Sequence, residues 1–164
     1  MVGIAALFLI ILLVHPPSPM LQSGTPAPNI ALRTAGGQSE NVLPSANHHP
    51  VVVEFIEAAC VTCQQEAPVL CRMGATYPQV TFVAIDAATE SAAALQGFAT
   101  RYLSPGCATI VLLDPGLQVS RAYDVRVVPT VYVVDSAGKI TYGGLSSSGI
   151  EGVAPVLQRL TNGG

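Results

Sequence analysis

Tryptophan is absent from the 164 residues, aromatic residues make up 5%, and charged residues only 10%. A nucleic-acid binder needs a basic footprint and, for single strands, stacking aromatics. This chain has no Lys/Arg run and few rings, so no nucleic-acid partner is expected. Seven Lys and Arg stand against ten Asp and Glu, a formal net charge of −3. Histidine is scarce, with none after His49. The four cysteines, at positions 60, 63, 71 and 107, are too sparse for a small disulfide-stapled scaffold. The question is therefore which of them do chemistry. What the chain has in plenty is apolar side chains, half of all residues. At this length they predict one domain with a sizeable core.

Val2 to Val14 reads VGIAALFLIILLV, with no polar side chain. As a helix it spans about 20 Å, short of the roughly 30 Å hydrocarbon core. Residues 1–15 read first as an uncleaved signal-anchor, second as a cleaved signal peptide, and third as a buried helix. No Lys or Arg precedes the run and no small-x-small cleavage site follows it. His15-Pro16-Pro17-Ser18-Pro19 ends the helix, and residues 16–26 read as a Pro/Ser-rich linker. Either of the first two readings places residues 27–164 in an oxidising, extracytoplasmic compartment, membrane-anchored or secreted.

The rest alternates between strand and helix. Ile30 to Arg33 and Gln38 to Leu43 flank Ala35-Gly36-Gly37 as a hairpin. Val51 to Ile56 is an apolar, β-branched run with one Glu, as in a central strand buried on both faces. From Glu57 the Ala, Gln and Glu content predicts a helix through Leu70, with Pro68 as an internal kink. Strands are expected at Gln79–Asp86 and Ala108–Leu113, and helices at Ser91–Tyr102 and Leu117–Tyr123. A second hairpin joins Val131–Val134 to Lys139–Tyr142, and a helix over Gly149–Leu160 closes the chain. The pattern predicts an α/β fold with a central mixed sheet flanked by helices.

Cys60-Val61-Thr62-Cys63 falls where the central strand gives way to the helix. A thiolate attacks disulfides, and a free thiol with a pKa near ~8.5 is mostly protonated at neutral pH. The unpaired amides and positive dipole end of a helix N-terminus favour the anion. Cys60 is the expected nucleophile, and Cys63, one turn later, the resolving thiol. Half a zinc site looks the same, but Cys71 and Cys107 do not supply a second close pair. Glu54 interrupts the apolar strand. Carboxylates are rarely buried without a partner or a task, and burial raises their pKa. Glu54 is thus a candidate proton acceptor for Cys63, the alternative being that it faces a solvent-filled gap. Glu57 is expected in an exposed loop.

These residues resemble the thioredoxin superfamily, and within it the TlpA/ResA-like extracytoplasmic thiol–disulfide oxidoreductases. The resemblance runs from about Ala27 to Leu160. It begins with Ala27-Pro28-Asn29-Ile30-Ala31-Leu32, similar to the family's "AP-x-F-x-L" hairpin. VVVEFIEAACVTCQQEAPVL is similar to its strand, CxxC and "E-x-P". Glu90 to Pro115 looks like its inserted helix and strand. Ala122 to Thr130 resembles "Y-x-V-x-x-x-P-T", and DSAGKITYGG its last hairpin. The likeness implies a thioredoxin-like fold with an N-terminal β-hairpin and a helix–strand insertion. It implies that Pro129 is cis beside the CxxC, with the Val128 backbone pairing with an extended client. Val61 and Thr62 join Val128 and Pro129 in the implied client-binding surface. An ordinary strand-initiating proline is the alternative for Pro129. Glu54 stands where the family has a buried acidic residue, when it has one.

The likeness implies an enzyme that exchanges disulfides with the thiols and disulfides of exported proteins, more often as a reductant, for example in cytochrome c maturation. It would draw electrons from a membrane donor and act as a monomer. No cofactor beyond the Cys60–Cys63 disulfide, and no resident metal, is expected. Ala59 replaces the usual Trp before the first Cys, and Val61-Thr62 lacks both the common Pro and a His. Without an imidazolium beside Cys60, a very strong oxidant is disfavoured. The competing class is a Cu(I) carrier using the two thiolates, with His48-His49 nearby in sequence. A peroxidase-like enzyme on the same fold is a third reading. Cys71 reads as a buried, inert core residue, pairing with Cys107 as the alternative, and Cys107 as a free or shuttle thiol.

Overall fold

The computed structural model describes residues 20–43 and 49–162. The apolar run at 2–14, residues 16–19 of the expected linker, and His48 lie outside the described residues. Within them, no helix is long and apolar enough to cross a membrane.

Among the described residues, seven strands form one mixed sheet in the order β2-β1-β5-β4-β3-β6-β7. The hairpin β1 (Ala31–Thr34) and β2 (Ser39–Asn41) forms one edge, and its turn uses Gly37 at φ +85°. The central strand β3 (Val51–Ile56) is buried along its whole length. It runs parallel to β4 (Thr81–Asp86) and antiparallel to β6 (Thr130–Val134). Beyond β4 lies β5 (Ile110–Leu113), and beyond β6 the edge strand β7 (Ile140–Leu145). Helices α1 (Val61–Thr76), α2 (Ala92–Tyr102), α3 (Gln118–Ala122) and α4 (Ser146–Asn162) complete the domain. The α/β reading holds, with its N-terminal hairpin and its helix–strand insertion.

Alternation along β3 sorts its side chains between two cores. Val51, Val53 and Phe55 pack with Tyr123 and Tyr132 on one face. The Phe55 and Tyr123 rings lie 5.2 Å apart, and those of Tyr123 and Tyr132 5.4 Å apart. Val52 and Ile56 face the other way. Val52 meets Leu70 of α1 and Val153 of α4, and Ile56 meets Cys63 and Ala67 of α1 and Leu95 and Phe98 of α2. By the same alternation Glu54 shares the face of Val52 and Ile56, beneath α1.

Two expectations are corrected. Residues 20–26 are not a free linker. Gly24 N–H donates to Ile140 O (2.7 Å), Ile140 N–H to Thr25 O (2.9 Å) and Ala27 N–H to Gly138 O (2.9 Å). Leu21 N–H donates to Tyr132 Oη at 3.2 Å, and Met20 and Leu21 pack on the Tyr132 core. Composition reads these residues as a spacer, because the partners that order them lie over a hundred positions away. Cys71 is likewise not an inert buried residue. It is half-buried and disulfide-bonded to Cys107, with Cα atoms 5.0 Å apart, and the described residues contain no free cysteine.

That bond ties the loop after α2 to α1 across 36 positions. Closing a loop of that length restricts the unfolded chain and stabilises the fold by about 4 kcal/mol in the chain-entropy treatment. Cys71→Ser/Cys107→Ser should therefore lower the unfolding free energy by roughly 2–4 kcal/mol in urea titrations run with Cys60–Cys63 kept oxidised. An unchanged midpoint would show that the bond adds nothing to the native fold.

Candidate active site

The junction of β3 and α1 builds the site. Helical composition begins at Glu57, but the helix begins at Val61, and Cys60 is its N-cap with extended backbone (φ −72°, ψ 113°). Glu57 to Ala59 form a turn closed by Cys60 N–H to Glu57 O at 3.1 Å. Cys60 and Cys63 are disulfide-bonded, their Cα atoms 5.2 Å apart. Cys60 Sγ accepts the Cys63 N–H at 3.1 Å, as a capping side chain does. Cys60 is half-buried, whereas Cys63 is fully buried among Ile56, Ala67, Leu95 and Phe98. An outside molecule thus meets Cys60 first.

Behind the pair lie two carboxyls. Glu54 is wholly buried and Glu66 is 4% exposed. Glu66 follows Cys63 by three residues, and with Ala67 and Leu70 it lies on the buried face of α1. Neither oxygen of Glu54, nor Oε1 of Glu66, has a hydrogen-bond partner among the described residues. Burial first, and then the adjoining Glu66, hold the Glu54 carboxyl well above the ordinary carboxylate range. Burial likewise raises Glu66; the neighbouring Glu54 carboxyl pulls it back in part, and Glu151 on α4 adds to the rise by repulsion. Two carboxylates in one apolar space repel, and one carboxyl can donate to the other only if one keeps its proton. The pair therefore favours a state in which one of the two carboxyls keeps its proton. Glu54 was legible as an acid inside an apolar strand. Glu66 was not singled out, although its spacing of three from Cys63 on an inward helix face is a readable signal.

Val128 packs against the same core as Cys60, and the Val128–Pro129 peptide is cis. The main chain on either side is anchored. Thr130 Oγ1 donates to Val127 O at 2.7 Å, and Ser146 N–H to Pro129 O at 2.9 Å. The N–H and C=O of Val128 itself have no partner among the described residues. Val61 (64% exposed) and Val127 (51%) are the large apolar side chains exposed among the described residues, and both flank this site. Thr62 is half-buried beside Val61. Val127 was not singled out, because a valine before a strand reads as core. Glu57, expected in an exposed loop, is half-buried and lines a cavity of about 110 Å³ with Arg121, Val127 and Val128. A hollow of about 510 Å³ lies at the β1–β2 edge with Leu113 and Pro115, among none of the residues of the cysteine site.

His49 is exposed just before β3. Six strand residues, about 20 Å, separate it from the turn that leads to Cys60, so it does not complete a metal site with the cysteines. Among the described residues no three His, Cys, Asp or Glu side chains gather as a metal-holding group.

A family model described as the AhpC/TSA family matches residues 23–143. The chain is 27% identical over 137 residues to the thiol-disulfide oxidoreductase ResA of Halalkalibacterium halodurans, covering 80% of this chain and 75% of that protein. A Chlorobium tepidum structure described as a thiol:disulfide interchange protein DsbE superposes with a TM-score of 0.74. It is 25% identical and covers 85% of this chain and 99% of its own. A secreted Mycobacterium tuberculosis disulfide oxidoreductase homologous to DsbE of E. coli superposes with a TM-score of 0.61. It is 27% identical and covers 68% of this chain and 80% of its own.

The raised carboxyls set a sign for stability. In the native state the raised pair of Glu54 and Glu66 holds on to a proton that the unfolded chain has already released. Their contribution is most favourable below the ordinary carboxylate range and is lost as pH rises from there through the native-state values. Urea unfolding of the disulfide-intact protein at pH 5 and pH 7.5 should show stability falling with pH more steeply in wild type than in Glu54→Gln. The difference is about 1.4 kcal/mol for each unit by which Glu54 is raised within that interval. Equal slopes would mean that Glu54 titrates alike in both states.

Proposed function

The chain belongs to the AhpC/TSA family, it is a thiol–disulfide oxidoreductase of thioredoxin-like fold, and we propose that it reduces disulfides in exported client proteins. The observation that carries the proposal is the pairing of a reachable Cys60, whose sulfur caps α1, with a fully buried Cys63. The Cys60 thiolate attacks a client disulfide, one client sulfur leaves as a thiol after taking a proton, and a mixed disulfide forms. Cys63 then loses its proton to the carboxyl pair, attacks Cys60 Sγ and releases the second client thiol. Two coupled carboxyls suit this step. With one proton between them, one keeps a base for Cys63 while the other stays neutral.

The reducing direction rests on charge. A strong oxidant stabilises its reduced form through a thiolate of low pKa. Here the intervening Val61-Thr62 has neither His nor cation, and Glu54 and Glu66 lie behind the cysteines. That environment does little for a thiolate. An extended client segment fits beside Val128, whose free N–H and C=O suit a short β-addition. Val61, Thr62, Val127 and Pro129 would then frame the client cysteine. No cofactor beyond the disulfide is needed. Re-reduction of Cys60–Cys63 takes two electrons from a dithiol, which a membrane donor would supply. An extracytoplasmic setting, with residues 1–15 as anchor or signal and a monomeric domain that takes in residues 20–26 ahead of 27–164, completes the proposal. The secreted relative supports that setting. Apocytochrome c thiols are the client class we favour.

Trapping tests the roles. Cys63→Ser should accumulate a client mixed disulfide on Cys60, seen on non-reducing gels, and Cys60→Ser should accumulate none. Glu54→Gln should slow release of the second client thiol in single-turnover mixing by roughly tenfold or more at pH 7, with little change in the first attack. Turnover of peroxide, or Cu(I) retention without disulfide turnover, would replace this reading.

A further inference from the structure

The loop before Cys60 is gripped at one peptide from two sides. Ala58 N–H donates to Glu90 Oε2 at 2.8 Å, and Ala58 O accepts from Gln64 Nε2 at 2.7 Å. Glu90 lies at the start of the insertion, 32 positions from Ala58. It is itself held. Asp86, fully buried at the end of β4, accepts Ala88 N–H through Oδ1 (2.8 Å) and Glu90 N–H through Oδ2 (2.7 Å). Between them Thr89 sits at φ +58°, a left-handed conformation that a β-branched residue adopts only when its surroundings impose it. Ala87 N–H donates to Ile56 O at 2.9 Å, joining the same loop to the end of β3. The chain thus accepts backbone strain at Thr89 in the turn that delivers Glu90 to the Ala58 amide.

We infer that Glu90 is a positioning residue for the attacking thiol: with Gln64 it fixes the Ala58 peptide, so that Cys60 enters α1 as its N-cap. The inference rests on Cys60 being the nucleophile. Without the grip, the turn Glu57 to Ala59 is anchored only at its ends, and Cys60 is free to leave the cap. The thiolate then loses the Cys63 amide and the dipole of α1. Gln64 cannot substitute for Glu90, because it engages the carbonyl and not the N–H.

The charged groups around Cys60 come from several elements. Glu57 lies in the same turn, Glu54 and Glu66 lie beneath, and Arg101 lines a hollow with Ala58 and Gln64. Arg121 and Arg126 stand beside Val128, with Arg126 ion-paired to Asp124 at 2.8 Å. Loss of the Glu90 charge alone would favour a Cys60 thiolate. The positional account requires the opposite, which separates the two effects by sign.

The test is the rate of Cys60 alkylation by iodoacetamide across pH 5–10 in the full chain with Cys60–Cys63 reduced, for wild type, Glu90→Ala and Glu90→Gln. The Gln amide oxygen can still accept the Ala58 N–H. Glu90→Ala should raise the midpoint of the profile by about half a unit to one unit, the scale of a lost helix cap, and slow alkylation at pH 7 roughly three- to tenfold. Glu90→Gln should keep the wild-type midpoint or lower it. A midpoint in Glu90→Ala that is unchanged or lower, or a rise of equal size in Glu90→Gln, would overturn the inference. The wild-type profile judges the Cys60 assignment separately. A midpoint no lower than a free thiol's would remove the nucleophile and the inference with it.

Discussion

One hydrogen bond organises the chemistry of this protein: the Cys63 amide to Cys60 Sγ, 3.1 Å long. It exists because β3 ends at Ile56, a turn of three residues follows, and α1 starts at Val61. That spacing makes a cysteine do what a serine or aspartate usually does at a helix N-terminus. The same bond orders the two sulfurs by depth, with Cys60 at the surface and Cys63 against α2. A thiol at an N-cap is biased towards the anion, and a thiol buried behind it is not. The difference between nucleophile and resolving partner is a difference of position on one helical turn.

The cost of the arrangement is borne in the core. A carboxyl on the central strand and another on the helix above it share an apolar space, and three of their four oxygens lack a hydrogen-bond partner among the described residues. Groups of this kind are expensive to bury, and the mixed sheet around β3 must offset them. Its central strand is buried throughout, and the Cys71–Cys107 bond adds a covalent tie between α1 and the segment after α2. That tie lies two helical turns beyond Cys63, about 12 Å along the axis. It holds the helix at a distance from the Cys60–Cys63 pair.

Much of this was legible in the sequence, for identifiable reasons. The run Val51 to Ile56 has the length and β-branching of a buried strand, and the strand observed has those bounds. The helix expected over Ser91–Tyr102 is observed over Ala92–Tyr102, capped by the Ser91 hydroxyl, which accepts the Ala94 amide at 3.2 Å. The cysteine pair and Glu54 stood out because each contradicts its local context. Less legible was whatever depends on contacts between distant positions. Leu21 is ordered by Tyr132, Cys71 by Cys107, and Ala58 by Glu90, and composition near each gives no hint of its partner. Helix propensity also misled at Glu57, where the sulfur cap at Cys60 decides the start of α1.

The central claim is that Cys60 and Cys63 form a reducing dithiol couple. Its most direct test is the midpoint potential, read by counting free thiols after equilibration in graded thiol/disulfide buffers, with Cys60→Ser as control. The account predicts a two-electron transition near the thioredoxin value of about −270 mV that disappears in the control. A midpoint near about −120 mV, or a transition that survives Cys60→Ser, would contradict it.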